Sequence, residues 1–314
     1  MKKETENNFS GEKADRDPKD DNFLPLSIVT AAIILAGAWI YTTGPKALNN
    51  SGWGGASQEN NTVAGLEKDV LPQKGIVLPI QWKDLGAQMV KSGVIDLKKF
   101  ESIYLDRGGL SDDEKKLLLG EGNGNITMNV KNSGFLLNMF WAFGLGNKNA
   151  ILESGSMMDP KYGGADKFAS TGGWSLASGN VMDHYSGHSF VVLNADQQKL
   201  VERVSKGIYR PCCGNSVYFP DCNHGMAMLG LLELLAANGV SESDMYKIAL
   251  QVNSYWFPDT YITIAQYFQK QGVSWNNVDP KEVLGVNYSS AVGYQRVLKE
   301  VAPVETKSGG GCSV

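Results

Sequence analysis

Cysteine and histidine are scarce in this chain, with four of the first and three of the second in 314 residues. Four cysteines are too few to staple a fold of this size together, which excludes a disulfide-built scaffold. Basic stripes are missing as well. The chain has 29 Lys+Arg against 33 Asp+Glu, a formal net charge of −4 and a pI near 5.5, and this balance argues against a nucleic-acid binder. Catalytic signatures are also absent. There is no G-x-S-x-G, no P-loop, no dinucleotide fingerprint, no H-E-x-x-H, no C-x-x-C and no C-x-x-C-H. No residue is therefore assigned a catalytic role.

One stretch lacks charge altogether. Phe23 to Tyr41 reads FLPLSIVTAAIILAGAWIY, close to the ~20 apolar residues that a membrane-spanning helix needs. Trp39 and Tyr41 stand at its outer end, where amphipathic rings favour the interface. Lys2, Lys3, Lys13, Arg16 and Lys19 precede it, and Lys46 alone follows closely. This asymmetry places the N-terminus in the cytoplasm and the rest of the chain outside the membrane. The tail is long for a signal peptide and no small-x-small cleavage site follows. The expectation is a single-span cell-membrane protein with an extracytoplasmic domain.

The remaining chain divides by composition. Residues 1–22 read as a disordered cytoplasmic tail, 23–42 as the span, 43–76 as a flexible linker, 77–304 as the globular domain and 305–314 as a Gly-rich tail. Within the domain, helical spacing covers Ile80–Val90 and Leu97–Tyr104, with a break at Ser92-Gly93. Ser111 and Glu114 form a capping box for a helix over Asp112–Leu119. Ile126–Val130 alternates weakly, as a short strand would. Phe135–Leu145 is apolar nearly all round and reads as a buried helix. Ile151–Phe190 has no sustained period but is rich in aromatic residues and Met, so an ordered irregular loop that helps wall a site is expected. Helices should follow over Ala195–Lys206, Met226–Ala237 (central and buried), Glu242–Tyr255, Pro258–Gln271 and Ser289–Val301. The fold class expected is mainly α: an N-terminal transmembrane helix, then an irregular helical domain with a long ordered loop.

Six of the seven Cys and His residues fall between positions 184 and 224, about an eighth of the chain. Cys212, Cys213, Cys222 and His224 form a set of soft and borderline ligands, and His184 and His188 lie just upstream. Zn2+ and Cu(I) both accept sulfur and imidazole. Asp183 and Asp221 are candidates to orient the ligands from behind. Met226 and Met182 are possible thioether ligands, with core packing the simpler role for Met226. Cys222 at a helix start would have its thiol pKa lowered by the helix dipole. Two other readings use the same cysteines: a disulfide stapling the loop, or a redox-active pair. Haem held non-covalently by His or Met also stays open. Cys312 sits on the Gly-rich tail, as a mobile ligand, an intermolecular partner or neither.

Pro211-Cys212-Cys213-Gly214, then Asp221-Cys222 and a helix, resembles the PCYCGC-motif proteins over residues 208–256. That resemblance implies a small membrane-tethered extracytoplasmic protein with a metal-binding cysteine cluster. This chain has two adjacent cysteines where that family has three spaced ones. The whole chain also resembles uncharacterised single-span proteins of candidate-phylum bacteria with a YRPCC…DCNHG block, which implies the same topology and no activity. The function expected is capture, delivery or sensing of copper or zinc at the cell surface. The partners expected are the membrane and a metal ion.

Overall fold

Side-chain caps set most helix starts in this chain. The structure, a computed structural model, describes residues 63–301. It opens with α1 (Val63–Val70) and β1 (Ile76–Leu78). Next come α2 (Leu85–Ser92), closed by Gly93 at φ 85°, and α3 (Leu97–Ser102), capped by Asp96 accepting from the Lys99 N–H. In α4 (Asp112–Leu119) the Ser111–Glu114 capping box forms as expected. β2 (Ile126–Met128) pairs antiparallel with β1, Ile76 opposite Met128 and Leu78 opposite Ile126. Then follow α5 (Ser133–Gly146) and α6 (Ala150–Ser154). After the long loop come α7 (Ala195–Gly207, boxed by Asn194 and Gln197), α8 (Asn223–Ala237), α9 (Glu242–Trp256) and α10 (Pro258–Lys270). The described chain ends with α11 (Pro280–Val283), α12 (Val286–Ser289) and α13 (Ala291–Glu300).

The mainly helical class is borne out, and several boundaries differ from expectation. The linker expected over 43–76 ends earlier, because α1 lies inside it and Leu66, Val70 and Leu71 are buried against α10 and the core, with β1 starting at its last residue. The apolar face of α1 is only two turns long, too short to stand out from the polar residues around it. The first of the expected helices starts at Leu85 instead of Ile80, since Ile80 and Trp82 are buried from a non-helical segment and Trp82 Nε1 donates to the Leu117 carbonyl. The last expected helix is found, starting at Ala291 instead of Ser289 because Ser290 caps it by accepting from the Gly293 N–H. The expected span 23–42, the residues before it, the linker up to residue 62, and Cys312 lie outside the described residues. Among the described residues, no helix is long and apolar enough to cross a membrane.

α5 and α8 form the centre of the core, and their apolar sequences require it, since neither has a polar face to turn to water. They approach closely at two glycines. A Cβ on Gly144 would stand 2.3 Å from the Met226 carbonyl oxygen, and one on Gly230 would stand 2.6 Å from that of Phe140. Hydrogen on both Cα atoms is what allows this backbone contact. α7 packs on α8, α9 pairs with α10, and α13 lies on α10.

The irregular segment 155–194 is ordered because indole groups pin it. Trp141 Nε1 donates to the Ser170 carbonyl at 2.7 Å and Trp174 Nε1 to the Val94 carbonyl at 2.8 Å. The two indoles meet edge to face at 4.9 Å. Short 3₁₀ turns at Ser156–Met158, Pro160–Tyr162, Ala165–Lys167 and Val181–Asp183 carry the rest.

One carboxyl is sealed in this core. Glu233 of α8 is fully buried and accepts from Asn147 Nδ2 at 2.5 Å, and Asn147 also holds Val191 through two hydrogen bonds. Burial pushes its pKa up to about 8 from an ordinary 4.5, against the hydrogen bond from Asn147. Between these values the folded chain holds a proton that the unfolded chain has lost, so stability falls as pH rises from 4.5 to 8 and this contribution is flat beyond. Glu233→Gln should remove a slope amounting to a few kcal/mol over that range, on the order of 1.4 kcal/mol per pH unit. Urea unfolding of both proteins at several pH values checks this. Parallel stability profiles would show that Glu233 does not bind the proton.

Candidate metal centre

The segment between α7 and α8 reverses direction through a tight turn. Val217 N–H donates to the Ile208 carbonyl at 2.8 Å, Tyr209 and Ser216 pair across it, and Cys213 N–H closes onto the Arg210 carbonyl at 3.3 Å. The turn is tied to the body of the fold at its neck and tip. Tyr209 N–H donates to the Leu284 carbonyl and Ala291 N–H to the Cys213 carbonyl, while Asn253 of α9 donates to the Tyr209 carbonyl. The long loop covers another side: Ser170 N–H donates to the Asp221 carbonyl at 3.1 Å, and Phe219 meets Tyr162 and Phe168 edge to face. That contact bears out the expectation that the loop walls the cysteine segment.

Arg210 organises the turn from inside. It is buried to 1 % exposure, and four hydrogen bonds spend its guanidinium. Nε donates to Cys222 Sγ at 3.1 Å, Nη1 to the Asn215 carbonyl at 2.9 Å, and Nη2 to the Phe219 carbonyl and the Asp221 carboxylate. Asn215 Nδ2 holds the other Asp221 oxygen at 2.8 Å. A buried cation needs this degree of pairing. The guanidinium crosses the first turn of α8 at Gly225, where a Cβ would come within 2.6 Å of Nη2.

Cys222 is the N-cap of α8, and its sulfur accepts from the Gly225 N–H at 3.4 Å. The turn swings Cys212 and Cys213 toward it. All three Sγ atoms lie within 4.8 Å of one another, and Cys212 and Cys222 are 3.5 Å apart. Cys212 is exposed, the other two are half-buried, and all three are free thiols. Hydrogen bonds from Cys212 and Cys213 hold the Cys222 thiol well below its usual range despite burial, with Arg210 adding to the effect. Cys213 is pushed up to about 11: its bond from Cys212 lowers it, but its own bond to Cys222 and burial outweigh that. Cys212 is raised by its bonds to Cys213 and Cys222. The arrangement favours the thiolate form at Cys222, which lies between two thiols, a guanidinium and a helix N-terminus.

The histidines do not join it. Among the described residues, no histidine or carboxylate meets the three sulfurs at that spacing. His224, expected among the ligands, is turned into the core. Its ring lies 4.3 Å from Phe257 and edge-on to Trp256, and Nδ1 donates to Asn223 Oδ1 at 2.8 Å. Burial pushes it down to about 4, so it is neutral. His184 and His188 pair with each other, Nδ1 to Nε2 at 3.2 Å, and the Ser178 carbonyl holds the far nitrogen of His184. They meet across a turn with Ser186 at φ 52°, not along a helix. Asp183 is exposed and Ser178 takes the orienting role proposed for it. Asp221 does stand behind the cluster, through Arg210 and 3.9 Å from Cys213 Sγ. Met226 is core and Met182 packs against the core.

Sequence reasoning missed Arg210, Asn215 and Gly225. The signal for Arg210 was a single guanidinium two residues before the paired cysteines, among otherwise uncharged neighbours. Nothing in the sequence announces its burial. Comparison with protein-family models, with curated proteins and with solved structures finds no match.

The three sulfurs fit one ion. Thiolates bound at ~2.3 Å stand roughly 3.8 Å apart around a tetrahedral ion and roughly 4 Å around a trigonal one, spacings that small rotations of these side chains reach. In reduced, metal-free protein the most acidic thiol should be Cys222. Arg210→Met and Cys212→Ala should each move the pH profile of its alkylation upward by about a unit or more. Mass spectrometry of iodoacetamide-labelled protein reads this site by site. A profile that stays in place in both variants would refute the charge arrangement.

Proposed function

We propose that Cys212, Cys213 and Cys222 hold a soft transition-metal ion, copper or zinc, and that the protein captures, delivers or senses that ion. The observation that carries the reading is the convergence of three free sulfurs from two segments on one partly exposed point. Arg210 and the start of α8 supply a charge environment that favours a thiolate at Cys222. Soft thiolate sets select copper and zinc among the common ions. The exposure of Cys212 suits an ion that is loaded and passed on, where a structural ion would be enclosed. His224, His184 and His188 drop out of the ligand set. The span at Phe23–Tyr41 would hold the domain outside the membrane, in keeping with the resemblance to tethered cysteine-motif proteins.

A thiol–disulfide pair is the second reading, and the 3.5 Å between Cys212 and Cys222 favours it. A bridge there would close a loop of about ten residues and add roughly 3 kcal/mol of stability in the loop-entropy account.

An ion that binds only the folded chain stabilises it by mass action, about 2.7 kcal/mol at a hundredfold excess over Kd. For a domain of this size that is several degrees in Tm. Added zinc, or copper under reducing conditions, should raise the Tm of the reduced protein by that amount, and Cys222→Ser should abolish the rise. Thermal unfolding with and without a chelator checks this. An equal rise in Cys222→Ser would contradict the assignment.

A further inference from the structure

We propose that this three-sulfur cluster is built for monovalent copper and passes it to an incoming thiol at the face where Cys212 is exposed. The inference rests on the metal reading above and narrows it to one ion and one mode of transfer.

Coordination number decides between the two ions. Zinc takes four ligands, and with three protein donors it needs a water or an outside ligand in the fourth position. Here the donors that would complete a set of four are withheld. The Asp221 carboxylate does not stand with the three sulfurs as a fourth donor, and Arg210 and Asn215 hold its two oxygens where they are. His224 Nδ1 is spent on Asn223 and its ring is wedged against Trp256 and Phe257. His184 and His188 are engaged with each other and with Ser178. What is left is sulfur alone, the donor that suits Cu(I). A monovalent d10 ion is satisfied by two or three thiolates with no fourth ligand.

The exposure gradient gives the direction of transfer. Cys212 is open to solvent and Cys222 is half-buried against the helix start, so an incoming thiol meets the ion from the Cys212 side. A copper–sulfur bond to the incoming thiolate forms as the bond to Cys212 breaks, and Cys212 takes up the proton that the incoming thiol gives up. Copper stays monovalent throughout, so no oxidant or reductant is needed.

The test uses the reduced full-length chain under anaerobic conditions. It is equilibrated with equimolar Cu(I) and Zn(II) in millimolar glutathione, which competes for copper, then desalted and analysed for both metals. The expected result is about one copper per chain and little zinc. Copper should be largely lost in Cys212→Ser, whose exposed position leaves the core undisturbed, and kept in His184→Gln. Zinc retained while glutathione strips the copper would overturn the copper assignment and leave the metal reading standing. Copper held equally well by Cys212→Ser would overturn the exchange role. Neither metal retained by the wild-type chain would remove the metal reading and this inference with it.

Discussion

The contact between the Arg210 guanidinium and Cys222 sulfur is the interaction on which the site depends. A buried cation is costly unless every donor is satisfied, and here each partner it finds does structural work. The Asn215 and Phe219 carbonyls set the turn, Asp221 closes it, and Cys222 begins α8. One side chain therefore fixes the path of the segment and adds to the lowering of the Cys222 pKa that hydrogen bonds from Cys212 and Cys213 begin. The apolar alternative at this position would leave the carbonyls and the Asp221 carboxylate without their donor, and the paired cysteines would lose the frame that turns them toward Cys222.

The rest of the fold serves as a mount for that frame. α8 can start with Cys222 at the surface and continue as a wholly buried helix because Gly144 and Gly230 let it lie directly on α5. The long loop, pinned by Trp141 and Trp174, reaches round to cover Phe219 and Asp221. α9 and the segments after it hold the turn from the opposite side through Asn253, Leu284 and Ala291. Rigid supports on several sides keep three thiols together in the absence of a bond between them.

Helices with strong caps or uniform apolarity were legible from the residues alone: the Ser111–Glu114 box, the Asn194 cap, and the two runs that became α5 and α8. So was the clustering of Cys212, Cys213 and Cys222. The histidines misled because proximity in sequence carries no direction. His224 follows Cys222 by two positions, and on a helix that separation places the two side chains on different faces. α1 was hidden by its shortness. Arg210 was hidden because the usual reading of an arginine is an exposed charge, and only the assembled turn, with its inward carbonyls, makes burial favourable.

The most direct test is elemental analysis of the full-length protein purified without an affinity metal, with thiols counted on the same sample before and after a strong chelator. The account predicts about one copper or zinc per chain and cysteines 212, 213 and 222 reduced, shielded until the metal is removed. A metal-free chain with Cys222 joined covalently to Cys212 or Cys213 would contradict it and give the site to disulfide chemistry.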